Sequence, residues 1–229
     1  EILQIPLLRD NYSYLIHDAP SGDTAVVDPA EAEPVLEALI QRDWNLTHIL
    51  NTHYHGDHVG GNQRLKQMTG CRVFGCSVAG EPIPELDIAV GEGDRIEFGR
   101  CQVDVLAVPG HTQGHIAFLF GELNSLFCGD TLFAMGCGRL LGGTAEQLWS
   151  SLKRLRSLPE DTQIYCAHEY TEANGRFALT VEPDNTALQA RMREVLAKRE
   201  RRESTLPCSL SDELATNPFL RPESHEIRR

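Results

Sequence analysis

Four potential metal-binding side chains lie within six residues of the chain. The stretch 52–58 contains His53, His55, Asp57 and His58. In an extended segment, side chains at positions i, i+2 and i+4 point to the same face. We therefore expect His53, His55 and Asp57 to converge. His58 would then face elsewhere, an arrangement that suits two adjacent metal ions better than one tetrahedral site.

A solvated, His-rich turn is the simplest alternative interpretation of this stretch. Further acids and histidines argue against it, because each follows a predicted strand, and ligands gather where strands end in α/β sites. These residues are Asp28, His111, Asp130 and His168.

Seven side chains can be allocated to two ions. His53, His55 and His111 would hold one ion, and Asp57, His58 and His168 the other. Asp130 could bridge both, since a carboxylate has two oxygens. Asp28 could be a salt-bridged loop residue or a carboxylate that supports a ligating histidine.

Two close cations indicate hydrolytic chemistry. They lower the pKa of bound water toward ~7 and thereby provide a hydroxide at neutral pH. They also polarise a carbonyl and stabilise the oxyanion that forms. We therefore expect hydrolysis of an acyl compound by a bridging hydroxide, with Asp57 and Asp130 as the catalytic carboxylates that hold the centre.

Composition predicts a soluble globular protein. The chain has 229 residues, 41% hydrophobic and 24% charged, with no apolar run near the ~20 residues of a membrane span. The first residues lack the basic and apolar regions of a signal peptide. Seven cysteines without a C-x-x-C pair favour reduced thiols. We expect a cytoplasmic monomer that does not bind membranes.

The charge is unevenly distributed along the chain. Residues 1–150 carry 8 Lys/Arg against 20 Asp/Glu, which accounts for the whole net charge of −12. Residues 151–229 carry 13 of each. The acidic balance argues against nucleic-acid binding. An anionic small molecule would be better tolerated in the last third of the chain.

The hydrophobic pattern predicts strands that are interrupted by helices and then a helical tail. An antiparallel opening of three strands over 2–28 is followed by a helix at 31–44 and a strand at 46–50. A capping box at Thr144 opens another helix. Beyond residue 170 we expect helices at 172–181, interrupted by Gly175, and at 185–203. The charged run 198–203 is interpreted as a solvated helix end. The domains would be 1–170 and 171–229.

Several motifs resemble those of the metallo-β-lactamase superfamily. They are T-H-x-H-x-D-H at 52–58, P-G-H-T-x-G-H at 109–115, Gly129-Asp130 and the late His168. More narrowly, the chain resembles the glyoxalase II (hydroxyacylglutathione hydrolase) family at 129–133, 136–139, 166–171 and 217–221. The resemblance implies an α+β fold, a four-layer αββα sandwich with a C-terminal helical domain.

The resemblance also implies an activity and its residues. The activity would be hydrolysis of S-D-lactoylglutathione to D-lactate and glutathione, with two divalent ions. The mixed nitrogen and oxygen ligands suit zinc, iron or manganese, and we expect zinc. The seven ligands carry over directly, and His115 matches the motif without being a ligand. Arg139 and Tyr170 would bind glutathione. Basic residues near the C-terminus, Arg228 and Arg229, are further candidates, and Leu141 stands where some relatives have Tyr.

Three other functions are compatible with parts of the pattern. A glutathione persulfide dioxygenase of the same superfamily would bind one iron through two histidines and an aspartate, but it generally lacks the helical tail. A β-lactamase is disfavoured by the missing signal peptide. A catalytically silent metal-binding protein is disfavoured by the complete ligand set. His17, His48 and His225 are expected to be ordinary surface or core histidines.

Overall fold

The computed structural model describes residues 1–78 and 80–228, which fold around two six-stranded sheets. In chain order the strands are β1 (Ile2–Leu7), β2 (Asn11–Asp18), β3 (Asp23–Val27), β4 (His48–Leu50), β5 (Arg72–Gly75), β6 (Ile88–Ala89), β7 (Arg95–Phe98), β8 (Cys101–Ala107), β9 (Ile116–Phe120), β10 (Ser125–Gly129), β11 (Leu132–Phe133), β12 (Gly136–Cys137), β13 (Gln163–Cys166) and β14 (Cys208–Ser209). The first sheet runs from β1 to β6 in order. The second has the order β14-β13-β10-β9-β8-β7, and β11 and β12 form a separate hairpin.

Helices cover the sheets and form the tail. They are α1 (Glu33–Arg42), α2 (Gly56–Val59), α3 (Asn62–Thr69), α4 (Ala145–Leu155), α5 (Thr171–Val181), α6 (Thr186–Glu200) and α7 (Leu210–Thr216). Val35 of α1 and Leu65 of α3 are fully buried in one core with Ile49 of the first sheet. Leu152 of α4 packs into a second core. The αββα layering expected from the resemblance is confirmed. Among the described residues, no helix combines the length and apolar character that crossing a membrane requires.

Parallel strand pairs bring the candidate site residues to one edge. In the first sheet β3, β4 and β5 are parallel, with Val27 opposite Leu50. Asp28 and the 52–58 stretch therefore leave the sheet side by side, and Asp28 N–H donates to Leu50 O at 3.1 Å. In the second sheet β10 and β13 are parallel, so that Asp130 and His168 also follow neighbouring strands.

The close approach of the two sheet edges depends on Gly129. Its φ is +49°, and a Cβ there would lie 2.2 Å from Thr52 Oγ1. A side chain at position 129 would therefore collide with the loop that carries the histidines. The glycine lets β10 end directly against this loop and places Asp130 beside it.

The helical tail, residues 171–229, contributes a strand to the second sheet. Cys208 and Ser209 form β14, which pairs antiparallel with β13, so that residues beyond 170 complete this sheet. Gly175 does not interrupt α5, contrary to our expectation. A Cβ at Gly175 would lie 2.0 Å from Met192 Sδ, so the glycine allows close packing of α5 on α6.

The charged end of α6 is not simply solvated, which corrects a second expectation. Arg199 Nη1 lies 3.4 Å from the carboxylate of Glu169, whose side chain is only 4% exposed. A buried carboxylate needs a partner, and the helix end supplies it. The other predicted boundaries differ by one to three residues, which is normal for helix and strand ends.

Candidate metal centre

Seven side chains converge at the shared edge of the sheets and form two separate trios, which a third group, His53, His58 and Asp130, connects. His53, His55 and His111 form one trio, and Asp57, His58 and His168 form the other; within each, the potential ligand atoms lie within 4.8 Å of one another. His55 Nδ1 is 2.9 Å from His53 Nε2 and 3.1 Å from His111 Nε2. Asp57 Oδ2 is 3.7 Å from His58 Nε2 and 3.5 Å from His168 Nε2.

Helix α2 explains why Asp57 joins the second trio, contrary to the alternation argument. The chain is extended at His55, where φ is −60° and ψ is 144°, and α2 begins at Gly56. Alternation therefore ends before Asp57, and Asp57 and His58 leave the helix toward the same group. The expectation that His53, His55 and Asp57 share one face was wrong.

Asp130 lies between the two trios. Its Oδ2 is 3.5 Å from His111 Nε2 in the first trio. Its Oδ1 is 3.5 Å from His58 Nε2 and 3.3 Å from His168 Nε2 in the second. Each oxygen thus faces a different trio, as a bridging carboxylate requires.

Hydrogen bonds at Nδ1 set the tautomers of three histidines. A ring whose Nδ1–H donates to an oxygen presents the lone pair of Nε2 on its other side. The Nδ1 contacts are His58 with Asp28 Oδ2 at 3.0 Å, His111 with Arg139 O at 2.7 Å, and His168 with Asp10 Oδ1 at 3.1 Å. All three rings therefore turn their Nε2 atoms toward the space around Asp130, where each can bind either a proton or a cation.

His53 is oriented by a relay through Thr52. The Thr52 hydroxyl donates to Asp28 Oδ2 at 2.7 Å, and His53 Nδ1 lies 3.1 Å from the same hydroxyl oxygen. The hydroxyl proton is already used, so His53 Nδ1–H is the donor and Nε2 carries the lone pair. Asp28 thus supports both His53 and His58.

The donor set fits cations. The lone pairs of His53 and His111 both approach His55 Nδ1, which has at most one hydrogen and cannot bond both well, whereas one cation can bind all three nitrogens. In the second group, His58 Nε2 and Asp130 Oδ1 are buried without any hydrogen-bond partner. Buried polar atoms are rarely left unpaired, and an ion would satisfy both.

The electrostatics of the site also favour positive charge. Burial would lower the pKa of His58, but the carboxylates of Asp130, Asp28 and Asp57 outweigh burial and raise this pKa to about 9. Burial would likewise raise the pKa of Asp130, yet the neighbouring imidazoles hold it well below its usual range. Asp130 therefore remains ionised at neutral pH and attracts a cation.

His115 supports the site from behind. Asp130 N–H donates to His115 Nε2 at 3.2 Å, and the His115 ring stacks on His53 with centroids 4.6 Å apart. Burial lowers the pKa of His115 to about 3, so the ring stays neutral and can accept this bond. Cys128 and Cys166 are fully buried core residues and belong to neither trio.

A cavity of about 290 Å³ opens beside the two trios. Beyond the potential ligands, its lining consists of Phe133, Cys137, Arg139, Leu141, Tyr170 and Asn174. Phe133, Cys137 and Leu141 give the lining an apolar part, and Arg139, Tyr170 and Asn174 give it a polar part. Such a mixed wall suits a ligand that has both an apolar and a charged part.

Arg139 and Tyr170 both face this cavity. Arg139 is exposed, and within residues 1–78 and 80–228 no acidic side chain forms an ion pair with it. The Tyr170 ring stacks on His168 with centroids 4.6 Å apart and planes at 3°. Burial, reinforced by Asp10, Asp130 and Asp57, raises the pKa of Tyr170 to about 12, so its hydroxyl remains a donor.

The two basic C-terminal candidates are not brought to the cavity by the described structure. Arg228 Nε donates to Pro222 O at 2.8 Å, and Arg228 does not line the cavity. Arg229 lies outside the described residues. His17, His48 and His225 are not members of the trios.

Sequence reasoning missed Asp10, Asn11 and Asn174. Asp10 orients His168, and Asn11 Nδ2 donates to Asp57 Oδ2 at 3.1 Å. Both lie at the tip of the β1–β2 hairpin, far from the ligands in sequence. No spacing rule could have found them, although an adjacent Asp and Asn in a turn are a weak signal for a functional loop.

Comparisons with known proteins agree with this geometry. Residues 7–168 match the model of the metallo-β-lactamase superfamily, and residues 169–229 match that of the hydroxyacylglutathione hydrolase C-terminus. A hydroxyacylglutathione hydrolase from Methylococcus capsulatus is 59% identical over 228 residues, which cover 100% of this chain and 89% of that protein.

Two solved structures share the fold. ETHE1 from Myxococcus xanthus superposes with a TM-score of 0.75 at 29% identity, covering 99% of this chain and 88% of that one. TTHA1623, solved in a di-iron-bound form, gives a TM-score of 0.63 at 31% identity, covering 72% of this chain and 91% of that one. The chain belongs to the hydroxyacylglutathione hydrolases, the glyoxalase II family of the metallo-β-lactamase superfamily.

Proposed function

We propose that this chain hydrolyses S-D-lactoylglutathione and related 2-hydroxyacylglutathiones to the hydroxy acid and glutathione. The observation that carries the proposal is the pair of trios joined by Asp130 beside a mixed cavity. The full-length similarity to hydroxyacylglutathione hydrolases supports the same substrate class.

The proposed ligands divide as the geometry suggests. His53, His55 and His111 would hold one divalent ion, and Asp57, His58 and His168 would hold the second, with Asp130 placed between the two groups. Divalent ions there would lower the pKa of water toward ~7 and polarise the thioester carbonyl. Asp28 and Asp10 keep the imidazole lone pairs pointed inward.

The cavity residues orient the substrate. The Arg139 guanidinium at the mouth pairs with a glutathione carboxylate, and the Tyr170 hydroxyl donates to the peptide part. Phe133, Cys137 and Leu141 exclude water from the thioester. The departing thiol has an ordinary pKa near ~8.5, so it leaves as thiolate without a dedicated general acid.

A paired assay tests the proposed reaction. The purified protein is incubated with S-D-lactoylglutathione and, separately, with glutathione persulfide under oxygen. We expect thioester cleavage without oxygen uptake, and its loss after chelation and restoration with added divalent metal. Oxygen uptake with the persulfide and no thioester cleavage would instead identify the dioxygenase.

Arg139→Ala is expected to raise KM for S-D-lactoylglutathione ~10- to 100-fold, because it removes one charge-assisted hydrogen bond. KM for a small uncharged thioester should change little. Steady-state kinetics on both substrates check this, with Arg139→Lys as the control that keeps the charge. An equal rise for both substrates would remove Arg139 from carboxylate binding.

The remaining features stay predictions from the sequence. Histidine nitrogens and carboxylate oxygens suit zinc, iron or manganese, and we propose zinc. Metal analysis of the purified protein identifies the ion directly. A monomeric state and a cytoplasmic location are proposed from the composition alone, which is acidic and contains cysteines that we expect to be reduced thiols.

A further inference from the structure

Glu169 directly follows His168 and lies where the metal centre meets the helical tail. Its backbone N–H donates to Asp10 O at 2.8 Å, while the Asp10 carboxylate holds His168 Nδ1. Two residues earlier, Ala167 O accepts from Tyr12 N–H at 2.7 Å. The segment 167–169 is thus bound along its length to the start of β2.

The Glu169 carboxylate joins this segment to the tail. Its Oε2 accepts from the Tyr12 hydroxyl and from Thr205 N–H, both at 2.9 Å. Its Oε1 accepts from the Thr205 hydroxyl at 2.5 Å, and Arg199 adds an ion pair. The side chain is 4% exposed, so these donors are its only means of compensating for lost hydration within the described structure.

Glu182 is a similarly buried carboxylate in the same tail, but it has no link to the metal centre. Its oxygens accept from Arg221 at 2.9 and 3.1 Å and from Ser224 at 2.5 Å, and its side chain is 2% exposed. These partners lie within the tail. Glu182 therefore offers a matched comparison for Glu169: both are buried, arginine-paired glutamates of the tail region, but only Glu169 adjoins a proposed ligand.

We propose that Glu169 is a positioning residue through which the docked tail holds His168 in place for its metal ion. The proposal rests on the ligand set of the proposed function. Removing the carboxylate leaves buried donors on Tyr12 and Thr205 unpaired, and the segment 167–169 must shift to rehydrate them. This shift displaces His168 together with its Asp10 contact and weakens the second trio, while the three histidines of the first trio keep their places.

Metal binding tests this without any need for turnover. Zn²⁺ affinity and stoichiometry are measured by competition with a chromophoric chelator for the parent, Glu169→Ala, Glu169→Gln, Glu182→Ala and His168→Ala. Denaturant unfolding of each zinc-free protein records folding separately. We expect Glu169→Ala and His168→Ala to lose affinity for one of two ions by ~10- to 100-fold, as supporting residues do. Glu169→Gln should fall between Glu169→Ala and the parent.

Glu182→Ala distinguishes positioning from general loosening of the tail. It should lose stability as Glu169→Ala does and yet retain both ions with parental affinity. Equal metal loss in Glu182→Ala, or parental affinity in a folded Glu169→Ala, would overturn the proposal and leave the ligand set standing. Full retention of both ions in His168→Ala would overturn the ligand set itself, and this proposal with it.

Discussion

Asp130→Ala is expected to lower kcat/KM by ~1,000-fold, about 4 kcal/mol of transition-state stabilisation, and to weaken both metal ions. The reason is geometric: one carboxylate oxygen faces His111 and the other faces His58 and His168. Asp130 is thus the carboxylate that lies between the two trios. Removing it leaves both trios without the anion that offsets two cations.

Asp57→Ala is the matched comparison. Asp57 contacts His58 and His168 but belongs only to the second trio. We expect it to lose one metal equivalent and to retain the ion at His53, His55 and His111. Metal content per chain, together with kcat/KM for S-D-lactoylglutathione, separates the two variants. Near-parental turnover in Asp130→Ala would remove this residue from the bridge.

The types and order of the candidate site residues could be predicted from the sequence. Their division between the two trios could not be derived from the alternation of side chains along an extended segment. Histidine and aspartate at successive strand ends must meet when parallel strands share an edge, and Asp28, Asp130 and His168 do so. The prediction for Asp57 was wrong because α2 starts at Gly56, inside the 52–58 stretch. From there the side chains repeat every 3.6 residues, as in a helix, and no longer every two, as in a strand.

Contacts that depend on the tertiary fold were beyond sequence reasoning. Asp10 meets His168 across 158 positions, and no local pattern indicates such a pair. The same holds for β14, because two residues of the tail are too short a strand to show alternation. The charged run at the end of α6 looked solvated because the carboxylate that needs Arg199 lies 30 residues earlier.

Glu213→Ala is expected to destabilise the protein by about 3–5 kcal/mol, because it breaks a largely buried ion pair. Glu213 is 0% exposed and its Oε1 accepts from Arg191 Nη2 at 2.5 Å. Its Oε2 accepts from Met135 N–H and from Asn217 Nδ2, both at 2.8 Å. The substitution leaves a largely buried guanidinium without its carboxylate and the Met135 N–H without an acceptor.

Equilibrium unfolding in urea measures this effect, with Glu172→Ala as the control. Glu172 also pairs with an arginine of the tail, Arg176 at 2.8 Å, but the two side chains are 38% and 64% exposed. An exposed pair of this kind contributes ~0.3–0.5 kcal/mol. A loss in Glu213→Ala no larger than in Glu172→Ala would contradict the buried-pair argument. A large loss would show that the tail is held by specific polar contacts, since the Glu213–Met135 bond ties α7 to the hairpin that lines the cavity.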